Sequence, residues 1–446
     1  MPITPKELNV SIHRSSLITP LKETERKSMF LSNMDFIVNF RIGSIFFFSK
    51  NPDFPPETVV ETLETAYRKL LVTYDYAAGR LKTDEQGRLE IDCNSAGAGF
   101  IVASSELSLE DLGDLPSANP NYQKLAVTQL KGFDVNDQPL LILQITSFKC
   151  GSFSLGVTFN HMMFDGIGYR IFLDNLASLA RNQPLSIVPI NNRQLLSARI
   201  PPQPTFPHPE LSKLNGPLKG IVLEPFLPSI HKIQSKTFHL SSSDIINLKD
   251  KAKMTDEGSN TYMVTDFNVI LAHIWRCMSL ATNTGNEPEK MYSLAVAYNF
   301  RHRLRPRLPS SYSGNAIYSV KPTTTCNELE VGPFSRLVQM IAQSEKQLTD
   351  EYIRSAIDYI ELNKGTIIGD VFVTIVSRLG YLDTAYPWGK PMWIFPAFDN
   401  QVVNIVFVIP DIEGRSSTPS VNIVVSLQAK EMEKFQGFYD RFLGKI

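Results

Sequence analysis

Cysteine is scarce in this chain of 446 residues: there are four, Cys93, Cys150, Cys277 and Cys326, all far apart. No two have the spacing of a zinc site or a redox pair. A disulfide framework is not expected in a chain of this size, so the cysteines predict a reducing compartment. An excess of either charge is also missing, because 44 basic side chains against 45 acidic ones leave a net charge of -1. That balance argues against a dedicated nucleic-acid binder and against a long charged tail. Long apolar runs are absent. The longest, such as "SIFFFS" and "VFVTIV", fall short of the roughly 20 residues that span a bilayer. The start, "MPITPKELNV", lacks the apolar stretch of a secretory signal, and the end, "FLGKI", matches no sorting address. A soluble, cytoplasmic protein with no membrane span is expected. No G-x-S-x-G elbow occurs, which removes the usual sequence support for a serine triad.

What is present is ordinary globular material, 43% hydrophobic and 20% charged, enough for large cores. "PPETVVETLETAYRKLLVTY", "TDFNVILAHIWRCMSLA" and "FSRLVQMIAQSEKQLTDEYI" place apolar residues at helical spacing. "GRLEIDC", "PLLILQITSF", "SFSLGVTF", "MYSLAVAYNF", "NIVFVIP" and "SVNIVVSLQ" predict strands. Helices and strands mix throughout, so the fold class is α/β or α+β, without repeats. A proline-rich stretch near the middle, "LSIVPINNRQLLSARIPPQPTFPHPELSKLNGP", predicts a long exposed crossover. It divides the chain into an N-terminal domain over 1–185, a linker over 186–222 and a C-terminal domain over 223–446, with a cleft between the two domains.

The stretch that needs explaining is "FNHMMFDGIG", residues 159–168. A histidine followed four residues later by aspartate arises by chance in about one in three chains with seven histidines; requiring glycine next cuts this to about one in fifty. His161 sits between the strand "SFSLGVTFN" and the helix "GYRIFLDNLASLA", a place where an enzyme can present a side chain from a rigid frame. Gly166 and Gly168 allow a tight turn there. Two readings remain open on the residues alone: a proton-transferring base, or a core histidine bonded to a backbone carbonyl with Asp165 capping the next helix. A metal site is not supported, because no partner completes a ligand set.

"NHMMFDG" resembles the H-x-x-x-D-G signature of the BAHD acyltransferases, a plant family that moves acyl groups from coenzyme A thioesters. Further segments are similar in the same order: "LSNMD" (31–35), "AAGRL" (77–81), "KCGSFSLGVTFNH" (149–161), "YNFRHRLRPRLPSSYSGNAI" (298–317) and "PWGKP" (387–391). One segment departs: Ala385-Tyr386-Pro387 stands where the family has Asp-Phe-Gly.

The resemblance implies a two-domain fold of the chloramphenicol-acetyltransferase type, with mixed sheets, flanking helices and a solvent channel between the domains. It implies an O- or N-acyltransferase taking acyl-CoA as co-substrate and an alcohol or amine of a plant metabolite as acceptor. The chain would be a monomer with no permanently bound cofactor and no metal. His161 would act as general base without a covalent intermediate. Asp165 would support the histidine loop through an ion pair with Arg301. Arg301, Arg303, Arg305, Trp388, Gly389 and Lys390 are the expected coenzyme contacts, since arginine forks suit phosphate oxygens. Met162, Phe164 and Asp35 are expected at the substrate pocket. The altered segment at 385–387 motivates a second expectation, a diverged member that is a non-catalytic elongation partner or is diverted to elimination chemistry.

Overall fold

In a computed structural model the described residues are 7–445 except 114, 116, 213–232, 254–262, 284, 398–403 and 412–419. The expected linker is therefore described to residue 212, and its boundary at 222 lies outside the described residues.

The chain forms a mixed α/β structure with two sheet-bearing domains. The first sheet runs in the order Ser11–Ile18, Ala98–Ser105, Leu141–Phe148, Phe153–Asn160, Arg41–Phe48 and Trp393–Ala397. The second orders Ile233–Leu240, Val421–Gln428, Ile405–Pro410, Val371–Ile375, Met291–Asn299 and Ile317–Val320, with Thr323–Thr325 added beside Met291–Asn299. Phe153–Asn160 is buried along its whole length, which explains why its sequence is almost continuously apolar rather than alternating. It pairs antiparallel with Arg41–Phe48 and with Leu141–Phe148 and ends at His161.

The strand Trp393–Ala397 leaves the second half of the chain to pair with Arg41–Phe48, Trp393 opposite Phe47 and Ala397 opposite Gly43. Phe47, Trp393 and Phe395 then pack with Ile405, Phe407 and Val424 of the second sheet in one apolar cluster. The two sheets are thereby joined through hydrocarbon.

Helices cover the sheets. Pro56–Leu70 and Gly166–Ala180 pack against each other on the first domain. Asp266–Thr282 is capped by Thr265, whose side chain accepts from the Asn268 N–H, and is buried nearly all round in the second domain. The sequence run expected as one helix over 334–353 is two, Phe334–Lys346 and Asp350–Asn363. The break is chemical: the Thr349 side chain accepts from the Tyr352 N–H and starts a new helix.

The crossover is only partly exposed. Arg193, Leu196, His208 and Glu210 are buried. Proline removes regular ladders there, and side-chain partners replace them. Among the described residues no helix is long and apolar enough to cross a membrane.

Candidate active site

The turn after Phe153–Asn160 is stitched before it reaches the helix. The His161 N–H donates to the Phe40 carbonyl at 2.9 Å. The Asn160 side chain accepts from the Met162 N–H at 2.9 Å, and the Asn160 carbonyl accepts from the Met163 N–H at 3.0 Å. His161 stays half-buried, its ring tilted on Phe40 at 5.2 Å and on Phe159 at 6.2 Å. The next three side chains turn inward: Met162, Met163 and Phe164 have no exposed surface and join the core of the first domain. This corrects the expectation that Met162 and Phe164 face substrate. Their hydrocarbon is used to anchor the loop.

The His161 tautomer follows from its neighbour. Nδ1 of His161 lies 3.1 Å from Oδ1 of Asn315. The Asn315 Nδ2 donates to Oδ1 of Asp35 at 2.9 Å, to the His161 carbonyl at 2.9 Å and to the Met162 carbonyl at 3.3 Å. With three acceptors around the nitrogen, the amide oxygen faces the imidazole, so Nδ1 carries the hydrogen and Nε2 carries the lone pair. No bond to Nε2 occurs among the described residues. Burial pushes the His161 pKa below the ordinary 6.5, against the opposing pull of Asp165, Asn315 and Asp35. The ring is therefore neutral near pH 7 and able to accept a proton.

Asp35, expected at the substrate pocket, is instead fully buried behind Asn315. Its Oδ2 accepts from the Ser32 N–H at 2.8 Å and the Ser32 hydroxyl at 2.7 Å. Its Oδ1 faces Asn315 and, at 3.3 Å, Nη1 of Arg193. Its partners surround it on all sides and leave no exposed surface, so Asp35 is not a wall of the pocket.

Asp165 caps the helix Gly166–Ala180, its Oδ1 accepting from the Ile167 and Gly168 N–H groups at 3.1 and 2.9 Å. The same carboxylate forms a two-pronged pair with Arg301, with Nη1 to Oδ2 at 2.7 Å and Nη2 to Oδ1 at 2.9 Å. Burial alone would raise the Asp165 pKa. The Arg301 charge and hydrogen bonds, with the Gly168 and Ala316 N–H groups, outweigh it and hold the carboxyl below its usual range. The helix-cap reading and the ion-pair reading of Asp165 thus describe one carboxylate. Arg301 also donates to the carbonyls of Tyr312 and Gly314 and to Oδ1 of Asn299, and it is 5% exposed. It has no donor left for a phosphate, so its place as a coenzyme contact is corrected.

Two glycines make this closeness possible. A Cβ on Gly168 would sit 2.1 Å from the Ser313 carbonyl oxygen. A Cβ on Gly314 would sit 1.6 Å from Nη1 of Arg193. Gly168 admits no side chain without separating the histidine loop from the 312–316 loop, and Gly314 admits none without displacing the Arg193 guanidinium.

His161 borders two chambers. The larger, of about 200 Å³, is lined by Ile42, Phe159, Ile317, Val373, Leu379 and Phe407 among others. The smaller, of about 90 Å³, lies beyond Phe40 and Ile37 and reaches Phe372 and Ile405. Ala297 and Asn299 connect the larger chamber to an open cleft of about 620 Å³ that gathers Thr265, His302, Arg303, Lys346 and Arg378. Arg303 is partly committed, its Nη2 bonding Glu345 at 2.6 Å. Arg305 lies in the adjoining groove with Arg307.

Trp388, Gly389 and Lys390 do not line that cleft. Trp388 is packed among Phe48, Phe54, Phe153 and Tyr386, the last stacked at 5.3 Å. Gly389 closes a tight turn onto Tyr386 with paired backbone bonds of 3.1 Å and a φ of +122°. Lys390 is half-exposed, 4.0 Å from Asp383. The segment is an aromatic plug with a surface lysine, set apart from that cleft.

The residues that sequence reasoning missed are Asn315, Arg193 and Arg378. Asn315 stands inside the quoted "SGNAI" stretch, a usable signal. Arg193 lies in the aperiodic crossover and Arg378 just past a strand, with no local pattern to single them out. Among the described residues no group of three or more His, Cys, Asp or Glu is placed to hold a metal.

The chain matches the family model described as Transferase family over residues 8–440. It is 44% identical over 445 residues to acyltransferase GLAUCE of Arabidopsis thaliana, covering 98% of this chain and 97% of that one. It is 32% identical to shikimate O-hydroxycinnamoyltransferase of Nicotiana tabacum, covering 97% of this chain and 100% of that one. Among solved structures, vinorine synthase superposes with a TM-score of 0.72 at 20% identity, covering 96% of each chain. F. graminearum TRI101 complexed with ethyl coenzyme A superposes with a TM-score of 0.73 at 16% identity, covering 94% of this chain and 99% of that one. At these identities the structural likeness shows the fold.

Proposed function

The chain belongs to the Transferase family of acyl-CoA-dependent BAHD acyltransferases, and from that premise we propose that it moves an acyl group from a coenzyme A thioester to an alcohol or amine, with His161 as general base. One observation carries this reading: Nδ1 of His161 is occupied by Asn315 while the ring borders both chambers, which leaves Nε2 as the acceptor open to a ligand.

The acceptor's O–H or N–H gives its proton to Nε2 as its oxygen or nitrogen attacks the thioester carbonyl. The new C–O or C–N bond forms, the C–S bond breaks, and the imidazolium returns the proton to the departing sulfur. No acyl-enzyme is required. The coenzyme's phosphates suit the cleft that gathers His302, Arg303, Lys346 and Arg378, with Thr265 at its rim.

The larger chamber selects chemistry as well as size. Its one ionised side chain, Asp165, is spent on Arg301, so its walls offer no free charge to a ligand. An apolar cavity of about 150 Å³ holds a benzene ring, and this chamber of about 200 Å³ exceeds it. It therefore suits an uncharged aromatic or aliphatic group. Several relatives bear hydroxycinnamoyltransferase names, which agrees with an aromatic group there. The altered segment at 385–387 is plugged into the aromatic core by Tyr386 and does not line either chamber, so it does not favour the non-catalytic reading.

The test is purified protein with a panel of acyl-CoA donors and neutral alcohols and amines, reading free thiol. Thiol release that requires an acceptor and is lost in His161→Ala is the expected result. Turnover in His161→Ala equal to wild type overturns the assignment.

A further inference from the structure

Among the described residues Arg193 is the most completely buried arginine, at 2% exposure, and the acyl-transfer steps do not use it. It comes from the crossover, in the short helix Arg193–Leu196. Its Nη1 meets Asp35 at 3.3 Å, its Nη2 donates to the Met163 carbonyl of the histidine loop, and its guanidinium lies 5.8 Å from the Tyr312 ring centroid. The bare Cα of Gly314 is what leaves room for it.

We propose that Arg193 is a positioning residue for His161: by pairing Asp35 it fixes the Asn315 amide, and the amide decides which imidazole nitrogen is free to take a proton. The inference rests on the reading of His161 as the base. Turned by half a rotation, the Asn315 amide would present its NH₂ to Nδ1. Nδ1 would then have to accept, Nε2 would carry the hydrogen, and the ring could no longer take a proton from an acceptor in the chambers. Three acceptors hold Nδ2 where it is: the Asp35 carboxylate and the carbonyls of His161 and Met162. Only Asp35 is charged, and a charge-assisted bond is worth roughly twice a neutral one. A buried carboxylate is held in place by the cation paired with it, and removing one partner is costly. Arg193 is that cation. Without it Asp35 loses its ion pair, and the strongest restraint on the amide is weakened. The crossover is thus coupled to the reacting nitrogen through four side chains in sequence: Arg193, Asp35, Asn315 and His161.

The test is Arg193→Gln against Arg193→Lys in the full-length chain. One readout is the ¹⁵N shifts of the His161 ring in ¹⁵N-histidine-labelled protein, with the His161 signals assigned by their loss in His161→Ala. Wild type should be the Nδ1–H tautomer. Arg193→Gln should show the Nε2–H form and lose roughly tenfold or more in kcat, with the donor KM little changed. Arg193→Lys should recover the wild-type tautomer and much of kcat. A folded Arg193→Gln with the wild-type tautomer overturns the proposal, even if its activity falls. If Arg193→Gln does not fold, Asp35→Asn gives the same reading: appearance of the Nε2–H form supports the coupling, and an unchanged Nδ1–H form overturns it. The tautomer needs no substrate. If it responds as expected while wild type transfers no acyl group, the positioning stands and the transferase reading falls.

Discussion

Asp165 and Arg301 stand 136 residues apart in sequence and 2.7 Å apart in space, each nearly without exposed surface. Their pairing ties the first turn of Gly166–Ala180 in one domain to the segment after Met291–Asn299 in the other. Breaking one side of such a buried pair costs about 3–5 kcal/mol, because the other charge is left in low dielectric. Arg301→Ala should lose that much in urea unfolding. Arg301→Lys should recover little of it, since a lysine cannot reproduce the two-pronged contact. The folded Asp165 pKa lies below its unfolded value, so its contribution is present above the ordinary carboxylate pKa and lost as pH falls through the lower folded value. The stability gap between wild type and Asp165→Asn should therefore be flat from about pH 5 to 8 and shrink only below about pH 4.

His161 should report its surroundings in the pH profile. Burial depresses its pKa, and the charges of Asp165 and Asp35 partly restore it. The acid limb of kcat/KM should inflect below about 6.5, the value of an unperturbed imidazole. An inflection above 7 in wild type would contradict this picture of the ring.

His273 carries an acid sensitivity unconnected with catalysis. It is fully buried in the helix Asp266–Thr282, with Tyr439 at 4.9 Å and Cys277 beside it. Burial first, then the charges of Arg276 and Lys251, push its pKa down to about 3. The unfolded chain protonates this group near pH 6.5 while the folded chain resists, so stability is present above 6.5 and drains away as pH falls toward 3. The loss should approach about 1.4 kcal/mol per pH unit from this group alone. His273→Leu should flatten that part of the curve between pH 6 and 4 in denaturant titrations.

The crossover is clasped by a buried Ser-His-Glu relay. The Ser355 hydroxyl oxygen accepts from the Thr205 and Phe206 N–H groups at 2.8 and 3.0 Å, so its hydrogen points to Nε2 of His208 at 2.8 Å. Nδ1 of His208 then donates to Glu210 at 2.9 Å, and Glu210 also accepts from the hydroxyls of Tyr318 and Tyr352 at 2.6 and 2.9 Å. Both Ser355 and His208 have zero exposure, so this is a fastening and no substrate reaches it. Ser355→Ala strands two backbone donors and should cost about 2–4 kcal/mol. Limited proteolysis should cut 199–207 faster in that variant; wild-type resistance would mean the clasp holds without the hydroxyl.

Much of the site was readable where one segment carries its own pattern. The strand into His161 is apolar throughout because both its faces are buried, and the H-x-x-x-D-G spacing survives as a strand, a turn and a helix cap. What escaped was chemistry assembled from distant segments. The Asp35–Arg193 pair joins residues 158 apart, and neither neighbourhood marks its arginine or aspartate as buried. Met162 and Phe164 looked like pocket walls because they flank the base, but the turn sends them to the opposite side. Trp393–Ala397 is not among the expected strands, and its partner Arg41–Phe48 lies near the other end of the chain.

Two helical glycines should respond with opposite sign to the same substitution. In an exposed helix interior, glycine to alanine gains up to about 1 kcal/mol, because the unfolded glycine has more freedom to lose. Gly437 lies within Ala429–Leu443 with open space where its Cβ would be, so Gly437→Ala should stabilise. Gly168 is helical too, but its Cβ would meet the Ser313 carbonyl oxygen at 2.1 Å and the Phe164 Cβ at 2.7 Å. Those neighbours are the 312–316 backbone and the anchored histidine loop, neither of which can retreat without pulling Arg301 and Asn315 from their partners. Gly168→Ala should therefore lower the unfolding midpoint and reduce turnover together, despite alanine's better helix propensity. A Gly168→Ala variant as stable and active as wild type would mean that the two loops are not pressed together around Asp165.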